Sequence, residues 1–317
     1  MEANNTCIFA KNAIHEILNR GVNAKKKVGN WCLKKDGSAN VLERYSLNMT
    51  LKHPQNCITS QHTLACEIET EDYLLGLNPG FVEYSDWGFY RKFKREDGTY
   101  HYTYGERLKN IINATMEKAK NDKTSRQLVI SIWNNVMDIT ENFVPCNVLM
   151  KLDISSDKYN RDKLNMFVVN RSQDMCRGFF LDSFAYPMLQ QVICNNYGYK
   201  LGKYYHYIMN AHIYEDDTEF AENILSNLRN EKPLEIPDKL TEYECKIMKE
   251  ISGLIFASGE RNRTQSAQFL AKKLPDFWYN WKANQIVYAY SKYVKKDPMP
   301  TSITCVGVVI NENPRKL

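Results

Sequence analysis

The sequence predicts a mixed α/β fold, on three observations. Short β-branched and aromatic runs separated by turn-rich segments read as successive strands, and longer stretches space apolar residues three and four apart. The two kinds do not alternate as regularly as a doubly wound chain requires. From the start, "CIFAKNAIHEILNRG" (7–21) sets Ile8, Ala13, Ile14, Ile17 and Leu18 at helical intervals and closes on glycine, a common C-terminal signal. A long amphipathic helix is expected from about Gly105, carried by Leu108, Ile111, Ile112, Met116 and Ala119. Residues 126–133, 148–155 and 163–170 follow as strands. Residues 183–198 return to helical spacing, and their Pro187, which lacks an amide hydrogen, is tolerable only in a first turn or at a kink. Residues 203–214 read as a further strand, and 240–256 and 266–294 as mostly helical. The linker-like "RNEKPLEIPDKL" (229–240) is short and carries apolar residues throughout. One domain over residues 1–317 is therefore expected, with 240–317 as a C-terminal helical extension within it.

The chain has 317 residues, of which 43% are hydrophobic and 12% aromatic, enough to bury a sizeable core. Its 42 Lys and Arg against 37 Asp and Glu give a net charge of +5, spread over the same segments. No long basic stripe or basic-aromatic repeat is present, so nucleic acid is not the expected partner. The nine cysteines are odd in number and show neither C-x-x-C pairs nor metal-ligand spacing, which reads as a reducing compartment and no metal. The first residues lack the pattern of a secretory signal, and no stretch approaches about 18 apolar residues. A cytoplasmic protein without a membrane contact is expected. Glycine-loop phosphate binding, zinc hydrolysis and nucleophile-elbow chemistry lose support, since G-x-G-x-x-G, Walker A, H-E-x-x-H and G-x-S-x-G are all missing.

Reactive groups gather instead at strand ends. "VVNRSQDMCRGFFLDSFAYP" (168–187) holds Arg171, Ser172, Asp174 and Asp182 inside an apolar, aromatic stretch, and buried groups of this kind need partners. Cys146 follows a proline, precedes a strand and lies between segments carrying Arg126 and Arg171. Guanidinium groups favour a thiolate, the useful nucleophile.

Together these segments resemble the thymidylate synthase superfamily. "SRQLVISIWN" is similar to its arginine-pair strand, "VPCNV" to its nucleophile loop, and "NRSQDMCRGFFLDSFAY" to its R-S-x-D-x-x-x-G signature; "NAHIY" (210–214) is similar to D-A-H-I-Y and "YTYGERL" to the V-Y-G segment. The resemblance implies a three-layer fold with a large, twisted, mixed sheet packed by helices and used for dimerisation. It implies that Cys146 adds to C6 of a pyrimidine nucleoside monophosphate, so that C5 attacks the one-carbon unit of 5,10-methylenetetrahydrofolate. Arg171 and Ser172 would grip the nucleotide phosphate, with Lys27 near it and Arg126 reaching across from the second subunit of a homodimer. His212 and Tyr214 would bond the sugar hydroxyl, Tyr104 would organise proton removal at C5, and Asp174 would contact the folate. The proton-handling glutamate falls among Glu67, Glu69 and Glu71, with Glu71 fitting the pattern best.

Departures from the pattern set the subclass. Asp182 stands where the synthases carry a base-reading asparagine. Cytosine offers an N4 donor and an N3 acceptor, which a carboxyl group can match, whereas against uracil O4 its oxygen meets an acceptor. This aspartate and the helical C-terminal segment resemble the deoxycytidylate and cytidylate 5-hydroxymethylases, in which water adds to the exocyclic methylene in place of hydride. A helix N-cap is the plain alternative for Asp182. Asn147 replaces a histidine and Gln127 the second arginine. Thymidylate synthase, a dUMP hydroxymethylase and a catalytically silent nucleotide- or RNA-binding protein are the competing expectations.

Overall fold

Buried positions alternate with more exposed ones along residues 149–153, 163–170 and 203–209, the period of strands that bury one face. The computed structural model describes residues 2–3, 5–27, 38–62, 64–75, 104–108, 110–141, 144–159, 161–237, 239–257, 261–290, 302–305 and 308–311. In chain order the elements are β1 (Glu2–Ala3), α1 (Thr6–Arg20), β2 (Val22–Lys27), β3 (Ser38–Leu51), α2 (Leu64–Leu75), α3 (Tyr104–Leu108), α4 (Ile111–Asn121), β4 (Val129–Ser131), α5 (Asn135–Asp138), β5 (Asn147–Ser156), β6 (Asp162–Asn170), β7 (Gln173–Asp174), α6 (Gly178–Tyr197), β8 (Lys200–Tyr214), α7 (Thr218–Asn227), α8 (Glu242–Ala257), α9 (Arg261–Ala271), α10 (Asp276–Tyr290), β9 (Ser302–Cys305) and β10 (Val308–Asn311).

The main sheet runs β1-β3-β8-β6-β5-β4, with β2 paired to β3 and β7 to β8, while β9 and β10 form a separate hairpin. It is mixed, because β8 lies antiparallel to β3 and parallel to β6. Helix α6 is apolar all round and so must be covered all round. Its Phe179, Ala185, Tyr186 and Leu189 join the core against the sheet, and its Leu181, Phe184, Met188 and Val192 join a second core with α2 and the C-terminal helices. The layers are therefore sheet, central helices and outer helices. Trp278 and Trp281 of α10 are fully buried in the second core, each large apolar side chain so placed contributing about 1.5–3 kcal/mol.

Some elements differ from the sequence reading. The long helix expected from Gly105 is two, α3 and α4, broken at Asn110, whose φ of 66° is a left-handed conformation asparagine tolerates. Helix α6 starts five residues before Ser183, so Pro187 lies in its interior rather than its first turn. The expected C-terminal helix is split into α9 and α10 around Pro275, which disfavours helix at Leu274. Strand β3 and helix α2 carried no clear periodic signal. The linker-like stretch lies against the body, with Leu234 N–H donating to the Gln55 carbonyl and Leu234, Ile236 and Leu240 buried.

Candidate active site

Cys146 is the half-buried residue leading into β5, and its loop is held from two sides. The N–H groups of Cys146 and Asn147 donate to the hydroxyl of buried Tyr104 at 3.1 and 3.3 Å. Gly105 lets α3 come close enough: a Cβ there would stand 2.2 Å from the Asp72 carbonyl oxygen, whereas the bare N–H donates to Asp72 Oδ2 at 3.0 Å. From the other side Arg171 Nε donates to the Pro145 carbonyl at 2.9 Å and its Nη2 to the Val144 carbonyl at 3.2 Å, while its backbone N–H meets the Cys146 carbonyl at 2.8 Å. The guanidinium lies over the Trp133 ring at 5.5 Å and keeps further hydrogens for an anion.

A buried chain of amides joins this loop to α6. Asn147 Nδ2 donates to Asn170 Oδ1 at 2.7 Å, and Asn170 Nδ2 donates to Asp182 Oδ2 at 3.0 Å and to Gln173 Oε1. Gln173 Nε2 donates to the same Asp182 oxygen at 2.9 Å, and Tyr73 donates to Asp182 Oδ1 from 3.2 Å. Burial pushes the Asp182 carboxyl up to about 6, against the pull of these three donors. Asp182 sits within α6, and the helix is flanked at its start by Arg177, so Asp182 is not its N-cap.

Strands β7 and β8 bring the next group together. Ser172 Oγ lies 3.3 Å from His212 Nδ1, and the His212 and Tyr214 rings meet edge to face at 5.1 Å. Burial lowers the His212 pKa, with Asp174 opposing, so the ring is neutral near pH 7. Asp174 Oδ1 accepts the N–H groups of Cys176 and Arg177 at 2.8 and 3.3 Å, while its buried Oδ2 has no protein partner. That open acceptor fits the ring N–H donors of a pterin. Among the described residues no group of three or more His, Cys, Asp or Glu is placed to hold a metal ion, and no described helix is long and apolar enough to cross a membrane.

The family profile described as thymidylate synthase matches residues 82–251, more than half of the chain. The chain belongs to the thymidylate synthase family. It is 28% identical over 167 residues to the thymidylate synthase of Lactococcus lactis subsp. cremoris (strain SK11), covering 50% of this chain and 59% of that protein. It is 29% identical over 161 residues to that of Streptococcus sanguinis (strain SK36), covering 48% and 56%. The chain thus spans about three fifths of the length of these relatives. A solved structure of thermostable thymidylate synthase A from Bacillus subtilis superposes with a TM-score of 0.57 at 21% identity, over 72% of this chain and 86% of that one, and shows the shared fold.

In this thymidylate synthase family member, Cys146, Tyr104 and Asp182 share one hydrogen-bonded network, Arg171 braces it, and Ser172, His212, Tyr214 and Asp174 adjoin it. Glu71 does not join. It is locked in a buried cluster with Lys282 Nζ at 2.5 Å and Trp281 Nε1 at 2.6 Å, facing the C-terminal helices. Glu69 takes the place next to the site, bonded to the Tyr73 hydroxyl at 2.8 Å, because it shares a helix face with Tyr73 one turn on. Glu67 points to His62, 3.5 Å away. Arg126 is exposed in the turn ahead of β4 and takes no part in the network within one chain. Lys27 ends β2, paired with Ser38, and its side chain lies outside the described residues. Tyr73, Asn170 and Gln173 went unnoticed in the sequence. Asn170 had a signal, since it continues the inward register of Leu164, Met166 and Val168, all buried, with a polar group that must find a partner.

Proposed function

We propose that this chain is a folate-dependent 5-hydroxymethyltransferase acting on a cytidine monophosphate, ribo or deoxy. The carrying observation is the environment of Asp182, into which two amide N–H groups and a phenol O–H all donate. An asparagine there could keep its oxygen on the two amides only by turning its NH2 to the Tyr73 hydroxyl, which would then have to donate to Glu69, whereas a carboxyl group accepts from all three donors as they stand. A carboxylate oxygen accepts from cytosine N4, and its protonated form donates to N3. The match fails against uracil, whose O4 and N3-H reverse both roles.

In this reading Cys146 adds to C6, on a loop fixed by Tyr104, with the positive charge of Arg171 beside it. Arg171 and Ser172 hold the phosphate, together with Arg126 from a second copy of the chain, and Lys27 lies near it. His212 and Tyr214 bond the sugar. Bound methylenetetrahydrofolate supplies the one-carbon unit, and Asp174 Oδ2 would accept a hydrogen from its ring. Glu69 is the proton-handling glutamate, half-buried and bonded to Tyr73 beside Asp182. Neutral Tyr104, held well above the usual phenol range by burial, passes a proton without becoming a charge. Methyl transfer to dUMP, the activity implied by its relatives' names, is the second reading.

Incubation with dCMP, CMP or dUMP and methylenetetrahydrofolate, followed by mass spectrometry and dihydrofolate absorbance, tests this. Gain of CH2O on a cytidine nucleotide without dihydrofolate is the expected outcome. Gain of CH2 on dUMP with dihydrofolate would establish the second reading, and no product on any nucleotide would favour a silent binding protein.

A further inference from the structure

The Tyr73 hydroxyl stands between two carboxyl groups, 2.8 Å from Glu69 Oε1 and 3.2 Å from Asp182 Oδ1. A phenol carries one hydrogen, so it can donate to only one of them at a time. With both acids ionised, the other contact would set oxygen against oxygen in a site where Tyr73 is 2% exposed. One further proton satisfies all three groups. Asp182 Oδ2 already accepts from Asn170 and Gln173, which favours its anion, whereas Tyr73 is the described hydrogen-bond partner of the Glu69 side chain. The proton therefore rests on Glu69, and the bonds run from the Glu69 acid to Tyr73 Oη and from Tyr73 O–H to Asp182.

We propose that Tyr73 is a positioning residue that links Glu69 and Asp182 into one proton-sharing unit and relays a proton from Glu69 to the base-reading carboxyl. This rests on the function proposed above. When the Cys146 sulfur bonds to C6, electron density moves through C4 to N3 of cytosine. The Glu69 O–H bond breaks as its proton passes to Tyr73 Oη, the Tyr73 proton passes to Asp182, and Asp182 donates to N3. Glu69 ends as the carboxylate, Tyr73 is unchanged, and total charge is conserved. Uracil carries a hydrogen on N3 and cannot take this proton, so the relay also serves base choice.

Among the described residues, a thiol, a further carboxyl group and three phenols also face the pair. Cys66 and Asp72 of α2 face Glu69; Tyr104 of α3, Tyr186 of α6 and Tyr204 of β8 face Asp182. Burial holds all three phenols well above their usual range, so they stay neutral through the range in which the acids titrate.

The test is Tyr73→Phe, which keeps the ring that packs edge to face on Tyr104 at 5.2 Å and against Tyr186 at 5.1 Å. Carboxyl-carbon NMR titration of the protein without nucleotide reads the sharing directly. In Tyr73→Phe the Asp182 midpoint rises, because its anion loses a donor; in Asp182→Asn the Glu69 midpoint falls, because the neighbouring negative charge that held it up is gone. On the nucleotide that the wild type converts, Tyr73→Phe lowers kcat about tenfold or more, as expected when a positioned proton transfer is lost, and leaves KM nearly unchanged. Its deficit shrinks toward pH 6, where solvent protonates Asp182 directly. Unchanged carboxyl titrations in both variants, or a kcat and pH profile in Tyr73→Phe equal to wild type, would overturn the relay. If the wild type converts no nucleotide, the proposed function fails while the titrations still decide the proton sharing. Should Tyr73→Phe fail to fold, Asp182→Asn alone decides, a fixed Glu69 midpoint counting against the proposal.

Discussion

An aspartate and an asparagine at position 182 differ by one group, and the three donors around it give that difference weight. Asp182→Asn turns an NH2 toward the Tyr73 hydroxyl, which must then give its own hydrogen to Glu69. The same change offers uracil the amide it matches. We expect the ratio of kcat/KM for cytidine over uridine monophosphate to fall by about 100-fold or more, the scale for a site built around hydrogen bonds. Competition between the two nucleotides measures it, and an unchanged ratio would remove Asp182 from base recognition. Cys146, Arg171, Ser172 and Asp174 stood out as candidates because each lies in one of the short stretches that carry the family resemblance. Tyr73 was not, because it lies 109 positions from Asp182 and only the packing of α2 on α6 unites them.

Helix α2 shows why the sequence could not choose among its glutamates. Its sequence "LACEIETEDYLL" is crowded with acids, and helical spacing alone cannot tell which face meets which neighbour. In the fold each acid has its own partner: Glu67 has His62, Glu69 has Tyr73, Asp72 has Gly105 N–H, and Glu71 has Lys282, which lies 211 positions away. The Glu71–Lys282 pair is 1% and 0% exposed and also bonds Trp281, Gln285 and Ser252, fastening the C-terminal helices to the back of the helix that bears Glu69. Lys282→Met strands a buried carboxylate and should cost about 3–5 kcal/mol in urea unfolding, while Glu71→Leu with Lys282→Met recovers most of it. Equal losses in the single and double variants would argue against a charge-pair origin. Asp72 gives the helix a pH dependence of known sign. Burial raises its folded pKa to about 7, above the unfolded value, so the native state holds the proton more tightly. Its contribution is present in full below about pH 4 and is lost as pH rises to about 7, at about 1.4 kcal/mol per unit. Asp72→Asn, which mimics the protonated acid, should match wild type near pH 4 and exceed it at pH 8. Parallel stability curves for the two proteins would show that Asp72 does not titrate in this range.

On the scale of the whole molecule, described helices pack on one face of the sheet, and the other face carries a cluster of apolar and aromatic side chains among polar ones such as Lys151, Asp153 and Asn165. Leu149, Phe167, Val169, Tyr205 and Tyr207 are half-buried, Phe167 and Tyr205 stack at 4.4 Å, and Tyr45 and Met209 are 55% and 42% exposed. A sheet face of this kind suits a second copy packed across a two-fold axis. Arg126, exposed and outside its own network, would then belong to the other subunit's phosphate site. Mixing two inactive proteins decides this. In a heterodimer of Cys146→Ser with Arg126→Ala, the site built on the second chain's Cys146 receives an intact Arg126 from the first, while the other site lacks both groups. Random reassociation at equal amounts should restore about a quarter of wild-type activity, from one working site in half of the dimers. If Arg126 serves the Cys146 of its own chain, every site in the mixture lacks one group and nothing is restored. If the chain is a monomer, nothing is restored either, but sedimentation shows no dimer, so the two failures are told apart.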